Sequence, residues 1–185
     1  MNKKNIWCIL PTILLPYMGL VVWALIMFST QHPLLKFIME EVFQGDAFII
    51  VALLVLACIL TSFLSFIYFF VGIIKNWEAL SYAKWAMIVK LIQVPAYVVI
   101  YGVSMLLVFT IFTIPFSVGF FLLDCFAVFL TGLLTIGAVI NSIRQGALTF
   151  KETFWIILLQ FVFCADVAAA IILYKKLEKM EKESL

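Results

Sequence analysis

Charge is scarce in this chain. Asp, Glu, Lys and Arg make up 12% of its 185 residues, where a soluble domain carries about 25%. Histidine is scarcer still: the one present, His32, stands in a polar segment beside Pro33. Histidine-based general acid–base chemistry therefore has no footing, and a lone loop histidine is an ordinary solvated one. No GxxxxGK[ST], HExxH or GxSxG run occurs, which removes phosphate-loop, zinc-protease and hydrolase-elbow chemistries. No CxxC occurs either, and the YD and GxGD pattern of aspartyl intramembrane proteases is missing. The expectation is a protein that is not an enzyme and carries neither cofactor nor metal. A net charge of +2 is too small for a nucleic-acid partner.

What the chain has instead is apolar bulk. Hydrophobic residues make up 66% of it, 19 of them Phe, and mean hydropathy is +1.23. A domain this small has no interior large enough to hide that surface, so its solvent is lipid. The expected class is all-α: a single polytopic membrane domain and a bundle of about five spans. A crossing helix needs about 20 apolar residues, and stretches 6–28, 47–74, 91–112, 117–140 and 154–174 qualify. Lys90, at the edge of the third, is expected to snorkel to the headgroups. Segment 75–84 reads as a polar loop with Trp77, Tyr82 and Trp85 at headgroup depth, and 141–153 as another. Pro115 separates spans three and four into a tight antiparallel hairpin.

Between the first two spans, Leu34, Leu35, Ile38, Met39 and Val42 share a helical face while Lys36 and Glu40 pair on the other. This predicts a short interfacial helix over 33–43. The first span follows a basic start but lacks a small-x-small cleavage site, so it is expected to be a retained helix, kinked by Pro11 and Pro16. Cys8, Cys58, Cys125 and Cys164 fall in apolar stretches and read as small buried hydrophobes. A soft-cation site formed by three of them with nearby aspartates is the weaker alternative.

The lysine-rich tail 175–185 creates a conflict. With the N-terminus inside, five spans leave seven basic residues inside and five outside, and the tail lands on the outer side. Either the tail is outside, or one stretch is re-entrant, or the chain inserts the other way up.

Two acids carry the functional question. Asp124 lies in GFFLLDCFAVFL and Asp166 in LLQFVFCADVAAA, and a carboxylate at mid-bilayer costs about 2.5–3.5 kcal/mol on the lenient scale. Counted from the span ends, both are expected about 10–12 Å below one surface; if the helix faces match the two can meet, and two close carboxylates would share a proton. Ser117, Asp124, Thr131, Thr135 and Ser142 form a stripe on span four. Cys58, Thr61, Ser62 and Ser65 form one on span two, and Lys90, Gln93, Tyr97, Tyr101 and Ser104 one on span three. The candidate ion- or partner-binding residues are Asp124, Asp166, Thr131, Thr135 and Ser104. With no Lys or Arg expected at their depth, the acids point first to an accessory or permease-like subunit that pairs with a second membrane chain or with itself. The alternative is a small oligomeric proton- or cation-coupled transporter or channel. The expected surroundings are the lipid bilayer of a cell membrane. A Phe- and Ile-rich chain with a lysine tail and almost no extramembrane mass resembles small polytopic proteins of Gram-positive cytoplasmic membranes.

Overall fold

The computed structural model describes residues 9–109, 113–162 and 164–183. Cys8 and the ends of the first predicted span and of the tail lie outside them, as do residues 110–112. The described residues are helical apart from short connections: α1 (Leu10–Phe28), α2 (Pro33–Phe37, continuing as a π-helical turn Ile38–Val42), α3 (Ala47–Ile74), α4 (Ala79–Val108), α5 (Ile114–Arg144), α6 (Phe150–Leu159) and α7 (Ala165–Glu183). Among them α1, α3, α4 and α5 are long and apolar enough to cross a membrane.

The central helix is α5, buried along most of its length and packed against α1, α3, α4, α6 and α7. By contrast α3 keeps large apolar side chains outside, such as Phe48 at 76% and Phe63 at 65% exposure, as lipid-facing helices do. Pro115 stands in the first turn of α5, where its missing N–H costs nothing. α4 and α5 then pack as an extensive antiparallel pair, and Ser117 Oγ donates to Ser104 O near their junction, 3.1 Å.

Segment 75–84 is not an extended polar loop. α4 begins at Ala79, so Tyr82 lies in its first turns, packed inward at 1% exposure. Its ring meets those of Tyr68 and Trp77 edge-on, at 6.0 and 5.4 Å. A Cβ on Gly137 would lie 2.6 Å from the Tyr82 hydroxyl oxygen, and one on Gly72 2.9 Å from Tyr82 Cε1. Two glycines on facing helices thus make the slot that this ring fills.

Nor is 141–153 a loop throughout, because α5 continues to Arg144. Asn141, fully buried, donates from Nδ2 to Gly72 O and Trp77 O, both 3.0 Å, and Arg144 Nη1 donates to Ile73 O, 2.9 Å. These bonds tie α5 to the Gly72 and Ile73 carbonyls at the end of α3 and to the Trp77 carbonyl in the connection to α4. Residues 33–42 are helical, as α2 and its π-helical turn, with none of them buried against the bundle.

The main departure lies in the fifth predicted span. Stretch 154–174 does not form one helix: α6 stops at Leu159, and Cys164 adopts a left-handed φ of +67° before α7 begins. α6 and α7 pack against each other as an antiparallel hairpin. Lys176 Nζ donates to Glu152 Oε1, 2.8 Å, which brings the far part of α7 beside the first turn of α6. Leu177 shares one buried cluster with Leu148, Ile156 and Ala79. The turn satisfies its own backbone, with Gln160 N–H donating to Ile157 O (3.2 Å), Val162 N–H to Leu159 O (3.2 Å) and Asp166 N–H to Val162 O (3.0 Å). The tail is helical to Glu183 and returns to the end from which α6 starts. Periodicity could not see this, because an apolar run reads alike whether it crosses or turns back.

Glu152 clasps the hairpin, and its carboxyl is held below the usual value of 4.5, at about 2. The main cause is the hydrogen bond from Lys176, followed by those from the Thr149 N–H and hydroxyl, both 2.8 Å. A depressed carboxyl supplies stability that is present above its unfolded pKa and lost as pH falls through the folded one. The clasp should therefore hold at neutral pH and open between pH 4.5 and about 2. In carboxyl-carbon NMR of detergent-solubilised protein, Glu152 should titrate near 2, and Lys176→Met should move its midpoint upward. An unchanged midpoint in that variant would remove the ion pair as the cause.

Candidate functional site

The hairpin tip meets the bundle at a buried ion pair. Lys90, the twelfth residue of α4, is fully buried, and its Nζ donates to Asp166 Oδ2 at 2.5 Å and to Thr131 Oγ1 at 3.3 Å. Asp166 opens α7 at 1% exposure, where the positive end of the helix dipole favours an anion. Thr131 is buried on α5, and its hydroxyl donates back to Ala127 O (3.0 Å) or Val128 O (3.1 Å), leaving its lone pair for the ammonium. Lys90 does not snorkel. The missing cation of the sequence argument lies within the chain, at the depth of Asp166. It was hidden because α4 starts at Ala79, twelve residues before the expected 91, which makes an expected edge lysine a mid-helix one.

Small residues permit this closeness. Ala83 and Ala86 of α4 and Ala169 and Ala170 of α7 are buried at no more than 1%, and α7 packs chiefly on α4. Gln160, the last residue before the turn, lies over Gly132 of α5: a Cβ there would stand 3.6 Å from Gln160 Cβ. Gln160 is fully buried but sequence reasoning passed over it. The available signal was a single amide inside the apolar run IILLQFVF.

The two aspartates do not face each other at one level. Asp166 is level with Thr131, seven residues along α5 from Asp124, or about 10 Å. The expected register failed because it treated 154–174 as one straight crossing. Asp124 is 4% exposed, and its Oδ1 has no hydrogen-bond partner among the described residues. Thr135 Oγ1, Gln160 Oε1 and Asp166 Oδ1 are likewise buried without one. All five stripe residues of α5 are buried, from Ser117 at 8% to Ser142 at 0%. The α4 stripe divides: Lys90, Gln93 and Tyr97 face inward, whereas Tyr101 is 55% exposed. Ser104 is half-buried, and its Oγ lacks a partner among the described residues.

From α4 the polar contacts reach the remaining long helices. Gln93 Nε2 donates to Thr12 O of α1 (2.6 Å) and its Oε1 accepts from Tyr97 (2.7 Å). Thr12 Oγ1 and Ser65 Oγ of α3 lie 2.8 Å apart. Tyr17 of α1 donates to Ile92 O, just before Pro95, which interrupts the α4 hydrogen-bond ladder. The cysteines are less enclosed than expected, with Cys58 half-buried and Cys125 and Cys164 exposed on the bundle. No group of three or more His, Cys, Asp or Glu gathers into a metal-binding set among the described residues.

Comparison with family models, curated proteins and solved structures found no match for this chain. Its chemistry must be argued from its own atoms. A buried ion pair loses about 3–5 kcal/mol when one partner is removed, because the other is left as an uncompensated charge. Lys90→Met and Asp166→Leu should each fall in that range in denaturant unfolding. The double variant should be more stable than either single one. Simple additivity of the two losses would refute the coupling.

Proposed function

We propose that the protein is a small multi-pass carrier or channel of a cell membrane that moves protons or cations. In it α1, α3, α4 and α5 cross, and α6–α7 enters halfway and returns. What supports this topology is length and charge. Ten residues of α6 rise about 15 Å, half of a hydrocarbon core of about 30 Å. Four crossings with a returning hairpin also end the conflict over the tail. With the N-terminus inside, Lys3, Lys4, Lys75, Lys84, Arg144, Lys151, Lys175, Lys176, Lys179 and Lys182, ten of the twelve basic residues, lie on the inner side. Lys36 lies outside and Lys90 within the bundle, as the positive-inside bias requires. Single cysteines in a cysteine-free background provide the check: one at position 179 should react with impermeant maleimide only from the inner side. Labelling from the outer side restores a fifth crossing.

The observation that carries the function is the Lys90–Asp166 pair at the turn of a half-membrane hairpin, beside a buried polar stripe along α5. Interrupted helices with their ends at mid-membrane are how secondary transporters build ion sites. A proton arriving on the free Oδ1 of Asp166 removes the counter-charge of Lys90. An unpaired ammonium in that interior costs several kcal/mol, so the tip has two states: paired and closed, or protonated and displaced. Asp124, about 10 Å along the stripe toward the outer end, supplies a second carboxylate for the same ion. An accessory subunit whose acids pair with another chain is less well supported. Asp166 already has a partner, and Asp124, at 4% exposure, is closed to a second subunit.

Proteoliposomes holding pyranine and a potassium diffusion potential test the function. The wild type should acidify the lumen. Asp166→Asn and Asp124→Asn, shown folded by circular dichroism, should fall to the protein-free rate. If the wild type moves neither H⁺, Na⁺ nor K⁺ above that rate, the carrier reading fails.

A further inference from the structure

Away from the ion pair, α1, α3 and α5 splay apart around an apolar cavity of about 780 Å³. Gly19 and Trp23 of α1, Val55 and Ser62 of α3, and Gly119 and Phe126 of α5 are among its walls. Its one hydroxyl, that of Ser62, is already committed to Cys58 O at 2.7 Å. The lining runs from Val51 to Ser62 on α3, eleven residues or about 16 Å along the helix. One leaflet of hydrocarbon is about 15 Å thick, half of about 30 Å. The cavity is therefore as long as a leaflet, lies along the helices rather than across them, and opens between walls such as Val55 and Leu122, 53% and 60% exposed. A Cβ on Gly119 meets nothing within 4 Å, so this wall adjoins open space that a side chain could fill. Trp23 contributes an apolar wall, its Nε1–H being enclosed within the protein.

We infer that this cavity is a binding site for one acyl chain of a membrane phospholipid, seated upright between α1, α3 and α5 in the leaflet at the α1 C-terminal end. Apolar lining, leaflet length and lateral opening suit a single hydrocarbon chain. The site is separate from the Lys90–Asp166 pair, and its occupant need not be transported.

Native mass spectrometry of protein purified in a delipidating detergent and supplied with phosphatidylglycerol tests the assignment. The wild type should retain one lipid per chain. Gly119→Leu or Val55→Phe, each placing bulk in the cavity, should lower retention about tenfold, the effect of excluding a couple of methylenes. Two variants on different helices guard against one failing to fold, and circular dichroism with a cooperative melt establishes that each is native. Equal retention by a folded variant overturns the inference, as does a wild type that holds no lipid. A wild-type dimer made monomeric by Gly119→Leu would assign the cavity to a second copy and overturn it equally.

Discussion

The structure turns on one buried ion pair. Lys90 and Asp166 meet at 2.5 Å in a region with almost no exposed surface, and neither charge is tolerable there without the other. That requirement sets the height at which α7 begins and the face of α4 that it covers. It also makes α6 stop after ten residues, since the chain must turn to deliver Asp166 at that level. The alanines of α4 and α7 and the glycine beneath Gln160 are the packing counterparts of the same constraint.

Around the pair the polar groups are unevenly satisfied. Gln93, Thr12, Ser65 and Tyr97 form closed contacts that join α4 to α1 and α3. Asp166 Oδ1, Thr135 Oγ1, Gln160 Oε1 and Asp124 Oδ1 are buried with no partner among the described residues. A purely structural network would be expected to close, because an unsatisfied buried acceptor costs free energy. Two of these open acceptors, on Asp124 and Thr135, lie along α5, and the other two, on Gln160 and Asp166, at the tip of the α6–α7 hairpin.

Membership of the membrane class was legible from composition, as were the four long helices, to within a few residues except at the start of α4. The inward stripe of α5 was legible too, because offsets of 7 and 4 keep Ser117, Asp124, Thr131, Thr135 and Ser142 on one face. Lys90 was in view but assigned to the wrong depth. A segment with Glu78, Ser81 and Lys84 reads as loop by hydropathy, while its backbone gains a helix by packing Tyr82 between Gly72 and Gly137. Gln160, Thr12 and Asn141 were not singled out, because one polar residue in an apolar run carries no periodicity.

By itself the sequence determined that this chain is helical, that lipid is its solvent, and that its few internal charges must be answered. Those follow from apolar content and residue spacing, which are local properties. Which charge answers which was decided by tertiary structure alone. Lys90 and Asp166 are 76 residues apart, and their meeting depends on where α4 begins and on the hairpin turning back. Direction of travel through an apolar stretch leaves no mark on hydropathy. Only the contacts made by the hairpin, with Lys176 on Glu152 at its base and Asp166 on Lys90 at its tip, distinguish one helix from two packed back on each other.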